Sequence, residues 1–321
     1  MAYSHLLKKL PSNLPQSFDV LIPFLRFEQE LENELLLNQP EIILKNQSFL
    51  IVPALAAKPV WAQDWWPACR LHPFKGKSEA IKILKTQKNL GVHLPSDIIP
   101  AFAESLKKEI RELSLKRITY EVPSRFNFKY FGWTLFDSEN LLICEQPQAR
   151  FPLGWNEFNE DKDYPPNRAY LKIWELLCLG HIKLSPDDVA IDLGSSPGGW
   201  SWALSRFVKT VYSVDRSALD DKIGAISNIR FSTGDAFAVD PANFPACNWL
   251  FSDIICTPAK LLTLVENWRK NSSVKNYVCT IKFKGDCDFD ILKSFLEIPG
   301  SKIIHLYQNK NEVTWILQRQ T

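Results

Sequence analysis

The chain has 321 residues, 45% hydrophobic and 23% charged, with a formal net charge of +2. That composition predicts a soluble protein of two or three domains. It excludes a transmembrane helix, because no run of about eighteen apolar residues occurs; the start, MAYSHLLKK, lacks an apolar stretch behind a basic flank and predicts no signal peptide.

In chain order, FDVLIPFL (18–25) and SFLIVPAL (48–55) are predicted as strands, with a helix over RFEQELENELLL (26–37) between them. They form a small α/β module over 1–66. The Trp-rich stretch WAQDWWPA (61–68) is expected to pack between N-terminal modules, with Trp65 or Trp66 open to stacking on RNA. A second module, 67–150, mixes a basic helical stretch, ESLKKEIRELSLK (104–116), with strand-like RITYEV (117–122) and NLLICEQ (140–146). Residues 149–170 are polar, proline-bearing and aperiodic, and connect into a last domain, 151–321.

That domain alternates cleanly. Helical RAYLKIWELLCLG precedes strand VAIDLG; helix GGWSWALSRFV, strand TVYSVD, helix ALDDKIGAIS and strand NIRFST follow. Strand WLFSD leads to helix PAKLLTLVENWRK, strand YVCTIKF and helix FDILKSFLE. The strand-like runs KIIHLY and EVTWILQ close the chain. The pattern predicts an α/β, Rossmann-like fold: a mostly parallel seven-stranded sheet with a terminal antiparallel hairpin.

Charge is uneven. Between Lys75 and Lys129 there are twelve Lys/Arg against six Asp/Glu, leaving the rest of the chain about −4. A polyanion would feel mainly this segment; an ordinary solvated helix face accounts for the charges equally well. Phe74, Phe102, Tyr120, Phe126, Phe128 and Tyr130 are interleaved with them, either as core or as platforms for unpaired bases. Seven dispersed cysteines with no Cys-x-x-Cys pair point to reduced thiols in a cytoplasmic protein, and no metal is expected.

The chemistry concentrates in AIDLGSSPGGWSWAL (190–204). Gly194, Gly198 and Gly199 let backbone turn and approach a ligand without Cβ atoms, and Pro197 removes an N–H. The spacing is Gly-x-x-x-Gly-Gly, not the Gly-x-Gly-x-x-Gly that cradles pyrophosphate. Acids stand at successive strand ends: Asp215, Asp235 and Asp253. Each alone fits a helix N-cap. Together they suit S-adenosylmethionine, with Asp215 on the ribose hydroxyls, Asp235 on the adenine amino group, and the glycine loop on the methionine end.

These residues resemble the FtsJ-type class I methyltransferases, and more closely the bacterial large-subunit ribosomal RNA ribose methyltransferase M family. The resemblance rests on FPLGWNEF, PPNRAYLKIWEL, DLGSSPGGW, SDIICTPAKLLTLVENW, TIKFK and LYQNKNEVTW, with weaker echoes in FLRFEQELENEL and VWAQDWW. It implies S-adenosylmethionine held by Gly194, Ser196, Pro197, Gly198, Gly199, Trp200, Asp215, Asp235 and Asp253. It also implies a catalytic tetrad of Lys172, Asp253, Lys282 and Glu312, a THUMP-like RNA-binding module over 67–150, and 23S ribosomal RNA or an assembly intermediate as partner, with cytidine as target. Two positions depart from the family pattern: Ala169 stands where a serine is usual, and Ser195-Ser196 where Ala-Cys is common.

The residue types make chemical sense. A ribose 2′-hydroxyl must lose its proton as it attacks a sulfonium methyl, and a lysine is a base only while neutral. Free lysine titrates near about 10.4, and burial beside another ammonium lowers that. Lys282, after the apolar run YVCTI, is the expected base, with Lys172 as the second ammonium, Asp253 holding Lys282, and Glu312 orienting Lys172 or the hydroxyl. The sequence after the fourth strand, Asp253-Ile254-Ile255-Cys256, lacks the Pro-Pro-aromatic pattern of base amino-group methyltransferases, and Cys256 is expected to be structural. Two other readings remain: a non-catalytic RNA-binding protein on a degenerate methyltransferase fold, and an NAD-dependent oxidoreductase, which Pro197 and the closing hairpin disfavour.

Overall fold

The structure is a computed structural model and describes residues 14–38, 41–120 and 129–319. Two compact units result, Met1–Lys116 with Phe126–Trp155, and Arg117–Arg125 with Asn156–Thr321. The chain's first nine residues, Phe126 and Phe128 lie outside the described residues.

The first unit contains β1 (Phe18–Pro23), α1 (Glu28–Asn38), β2 (Leu44–Lys45), β3 (Leu50–Val52), β4 (Ala62–Pro73), α2 (Lys77–Lys85), β5 (Leu90–His93), α3 (Pro100–Lys107), β6 (Tyr130–Leu135) and β7 (Asn140–Cys144). One sheet takes all seven strands in the order β2-β3-β1-β4-β7-β6-β5. The expected boundary at 66/67 falls inside β4. Its first part pairs with β1, from Pro23↔Ala62 to Phe18↔Cys69, and its last with β7, from Arg70↔Ile143 to Pro73↔Asn140.

Trp66 is fully buried and its indole donates to Asp64 Oδ2 at 2.9 Å, so the stacking role considered for it is overturned. The Trp65 indole donates to Asp19 Oδ2 at 2.8 Å. Phe74 and Tyr130 are likewise buried, as core.

The helix expected over 104–116 ends at Lys107. Beyond it the backbone is claimed by β5: Gly91 N–H donates to Arg111 O at 2.9 Å and Leu113 N–H to Gly91 O at 2.8 Å. Tertiary pairing outweighs the helical propensity of this stretch. Lys75, Lys77, Lys82, Lys85, Lys88 and Lys108 are exposed on this unit.

The second unit contains α4 (Tyr170–Cys178), β8 (Val189–Leu193), α5 (Gly199–Ser205), β9 (Thr210–Asp215), α6 (Asp221–Gly224), β10 (Ile229–Thr233), β11 (Trp249–Ser252), α7 (Pro258–Asn271), β12 (Asn276–Lys282), α8 (Phe289–Leu296), β13 (Ser301–Ile304) and β14 (Glu312–Leu317). The strand order is β10-β9-β8-β11-β12-β14-β13. β8 to β12 pair in parallel, and β14 runs antiparallel to both β12 and β13. A dinucleotide-binding sheet continues in parallel at this edge; the reversed strand between β12 and β13 departs from that pattern.

Local chemistry starts the helices where the sequence places them. Thr257 caps α7 through its hydroxyl and Pro258 takes the first helical position, while Asp288 caps α8 through Ile291 N–H. The central strands are apolar on both faces and bury Trp249, Phe251, Tyr277 and Trp315.

Candidate active site

The topology brings four distant residues to one edge. β11 and β12 are adjacent and parallel, so Asp253, one residue past β11, and Lys282, the last of β12, reach the same rim. β14 runs the other way, so its first residue, Glu312, lies there too, in register with Lys282. Lys172 enters from the first turn of α4.

Lys172 Nζ lies 3.0 Å from Asp253 Oδ1, 3.1 Å from Asp253 Oδ2 and 2.6 Å from Glu312 Oε1. Lys282 Nζ donates to Asp253 O at 2.7 Å, and sits 3.0 Å from Asp253 Oδ1 and 3.9 Å from Glu312 Oε2. The two ammonium groups therefore share one carboxylate oxygen. Burial opposes the charge on Lys172, but the Asp253 and Glu312 carboxylates outweigh it and raise its pKa above the ordinary 10.5. Burial likewise opposes ionisation of Asp253, and Lys172 and Lys282 overcome it, holding its carboxyl below the ordinary range. Lys172 and Asp253 are thus charged at neutral pH.

The glycine turn follows β8. Gly194 has φ +79°, and a Cβ there would lie 2.9 Å from Ile254 Cβ. Val214 O receives the N–H groups of Gly194 at 2.8 Å and Ser195 at 3.2 Å. Ser196 N–H donates to Asp215 Oδ2 at 3.0 Å and Ser196 Oγ to Ala218 O at 2.8 Å. The Ser196–Pro197 peptide is cis. Gly198, at φ +114°, starts α5, and Asn167 packs against Gly199, leaving no room for a Cβ. The Trp200 indole donates to Ala169 O at 2.9 Å, so the departing residue Ala169 meets the turn through its backbone.

The expected cofactor acids are placed unequally. Asp215 holds the turn, accepting from Ser217 N–H at 2.9 Å as well as from Ser196. Asp235 accepts from Phe237 N–H at 3.0 Å and pairs with Arg216. Asp253 belongs to the lysine cluster. An ionised carboxylate has about four lone-pair sites, so Asp215 retains acceptor capacity for ligand hydroxyls. The Ser195 hydroxyl is buried at this turn and has no hydrogen-bond partner among the described residues. Acceptor carboxylates and an unpaired hydroxyl around a turn of small residues fit a sulfonium nucleoside.

Three residues escaped the sequence reading. Glu175 is buried on α4 and accepts from the Tyr307 and Gln308 backbones. Asn309 Nδ2 donates to Glu312 O at 3.0 Å. Asp192 lies beneath the glycine turn, where Ser201 Oγ donates to its Oδ2 at 2.7 Å and meets Ser213 Oγ at 2.7 Å. Burial, assisted by Asp253 and Asp215, pushes Asp192 up to about 7 against its serine bond. Its position in AIDLG is the one available signal; Glu175 sits in an apolar helix with no motif to mark it.

Among the described residues no cluster of His, Cys, Asp and Glu could hold a metal ion, and no helix is long and apolar enough to cross a membrane. None of the seven cysteines forms a disulfide, and burial pushes the Cys256 thiol up, which keeps it protonated.

Residues 165–298 match the FtsJ-like methyltransferase family model. The match lies within the second unit and runs from just before α4 through α8, taking in the five parallel strands and the glycine turn. The chain is similar to proteins named ribosomal RNA large subunit methyltransferase M. That of Saccharophagus degradans is 32% identical over 221 residues, covering 62% of either chain. That of Shewanella denitrificans is 25% identical over 253 residues, covering 65% of this chain and 66% of its own. That of Laribacter hongkongensis is 27% identical over 201 residues, covering 57% and 56%. The chain thus spans less than two thirds of the length of these relatives. The likeness to solved structures is looser: an rRNA methylase of Streptococcus thermophilus has a TM-score of 0.32 and 13% identity, over 43% of this chain and 90% of that one.

Proposed function

We propose that the chain is an S-adenosylmethionine-dependent RNA ribose 2′-O-methyltransferase acting on large-subunit ribosomal RNA, with cytidine as the expected target. The observation that carries this is the meeting of Lys172, Asp253, Lys282 and Glu312 at the sheet rim, where the glycine turn also ends.

S-adenosylmethionine supplies, when bound, a methyl group on a sulfonium. Gly194, Ser196, Pro197, Gly198, Gly199 and Trp200 shape its cradle, and Asp215 and Asp235 offer acceptors for its hydroxyls and amino group. Lys282, in its neutral form, takes the proton of the ribose hydroxyl at Nζ. Asp253 holds that nitrogen through its backbone and side-chain oxygens. Lys172 remains an ammonium and offsets one of the two carboxylates. With Lys282 neutral the cluster then carries one net negative charge, which draws the proton from the hydroxyl. Glu312 keeps Lys172 turned toward Asp253. Positioning and preorganised charge supply most of the rate.

The partner RNA is expected to meet the exposed lysines of the first unit. The deciding experiment is tritiated methyl transfer to unmodified ribosomal RNA, followed by digestion to nucleosides. Label in a 2′-O-methylnucleoside is expected. Label in a base-methylated nucleoside overturns the ribose assignment, and absence of label in RNA overturns the enzyme.

A further inference from the structure

Glu175 is 1% exposed, one turn after Lys172 on α4, and the chemistry above does not use it. Its two oxygens accept from at least three donors. Oε1 accepts from Tyr307 N–H at 2.8 Å and Asn156 Nδ2 at 2.9 Å; Oε2 accepts from Gln308 N–H at 3.0 Å. Gln308 Nε2 donates back to Asn156 O at 2.9 Å.

Tyr307 and Gln308 belong to the connection from β13 to β14, which delivers Glu312. Within that connection Asn309 N–H donates to Leu306 O at 3.0 Å, and Asn309 Nδ2 donates to Glu312 O at 3.0 Å and Thr314 Oγ1 at 3.2 Å. Hydrogen bonds joined by the Gln308–Asn309 peptide link therefore run from Glu175 on α4 to the backbone of Glu312. The same helix carries Lys172, which Glu312 Oε1 contacts at 2.6 Å. The Lys172–Glu312 pair closes a ring whose other side is Glu175.

The residue type fits this task. A carboxylate is acceptor-only and meets three N–H groups without a donor of its own. Glutamine would turn an N–H toward the Gln308 N–H. The carboxylates that set the charge on Lys172 are Asp253 and Glu312, so Glu175 acts on the backbone and not on the lysine. Burying a carboxylate is costly, and filling the same space with an apolar side chain is not. Packing alone therefore does not explain a glutamate here.

We infer that Glu175 is a positioning residue for methyl transfer: it ties the β13–β14 connection to α4 so that Glu312 stays on Lys172. This rests on the proposed function. The test is Glu175→Gln, with kcat and both KM values measured on ribosomal RNA, S-adenosylhomocysteine affinity by calorimetry, and the unfolding midpoint. A kcat lower by about tenfold or more, with cofactor affinity unchanged, is expected. Wild-type kcat overturns the inference, and so does a loss of cofactor affinity as large as the loss of kcat. Should this variant not fold, Asn309→Ala decides: it leaves Glu175 and its partners in place and removes the side-chain bonds to Glu312 O and Thr314 Oγ1 through which the connection holds Glu312. A kcat several-fold lower at unchanged cofactor KM supports the inference, and wild-type kcat overturns it. Failure of the wild type itself to methylate RNA strikes the enzymatic proposal instead, which separates the two failures.

Discussion

Lys282 and Glu312 are direct partners across the antiparallel pair β12–β14, the last residue of one strand opposite the first of the other. Six consecutive pairs, down to Tyr277↔Leu317, fix that register. Side chains alternate along a strand, so a slip of one residue would turn Glu312 to the opposite face. The reversed strand therefore does more than finish the sheet: it sets an acid beside a lysine at the rim where the parallel strands end.

Replacing Lys282 with alanine is expected to lower single-turnover methyl transfer by about 10²–10⁴-fold, the usual weight of a general base. Cofactor affinity is expected to hold, because Lys282 contacts Asp253 and Glu312 and not the glycine turn. Lys282→Arg should not restore activity, since a guanidinium does not deprotonate in this range. Wild-type turnover in either variant would remove the proposed mechanism.

The sheet of the second unit was legible because its signals are local and dense. Strand 210–215 and helix 258–270 were expected within a residue of β9 and α7, since apolar runs are bounded by caps, a proline and an acid. Lys172, Asp253, Lys282 and Glu312 were named through motif resemblance; their convergence depends on strand order, which no local pattern encodes. The first unit was less readable. β4 carries Gln63, Asp64, Pro67 and His72 among its tryptophans, and its pairing with two different strands suits no single alternation. Glu175 was invisible because its partners lie 19, 132 and 133 residues away.

Removing Lys172 leaves two buried carboxylates, Asp253 and Glu312, with Lys282 as the one remaining lysine of the cluster. Lys172→Met is expected to cost about 3–5 kcal/mol of stability, measured by denaturant unfolding. Pairing it with Glu312→Gln should recover part of that loss; additive losses would contradict a coupled cluster. The pH window follows from the two shifts. The raised pKa of Lys172 stabilises the fold fully below the ordinary 10.5 and is lost as pH rises through the folded value. The depressed pKa of Asp253 stabilises above the ordinary 3.8 and is lost as pH falls through the folded value.

Asp192 gives the slope opposite to that of Asp253. Its folded pKa is raised from 3.8 to about 7, so across that range the unfolded chain releases a proton that the fold retains. Its contribution to stability therefore declines as pH climbs from about 4 to about 7 and is flat above. Asp192→Asn removes this group. The difference in unfolding free energy between wild type and variant is expected to move by up to roughly 1.4 kcal/mol per pH unit in that interval. A difference independent of pH would show that Asp192 is already ionised in the fold.

The basic face of the first unit predicts a salt signature. Lys82 and Lys85 close α2, Lys88 follows it, and all three are exposed. Each phosphate contact contributes roughly 0.7 to 0.9 to the slope of log affinity against log salt. Converting the three lysines to glutamine is expected to flatten that slope by about 2 for ribosomal RNA and to raise the RNA KM. It should leave kcat at saturating RNA unchanged, because these residues lie in a different unit from the tetrad. Neutral glutamines avoid placing acids at the carboxyl end of α2, where the helix dipole would penalise them. An unchanged salt slope would mean that these lysines are simply solvated, and that the RNA is held elsewhere.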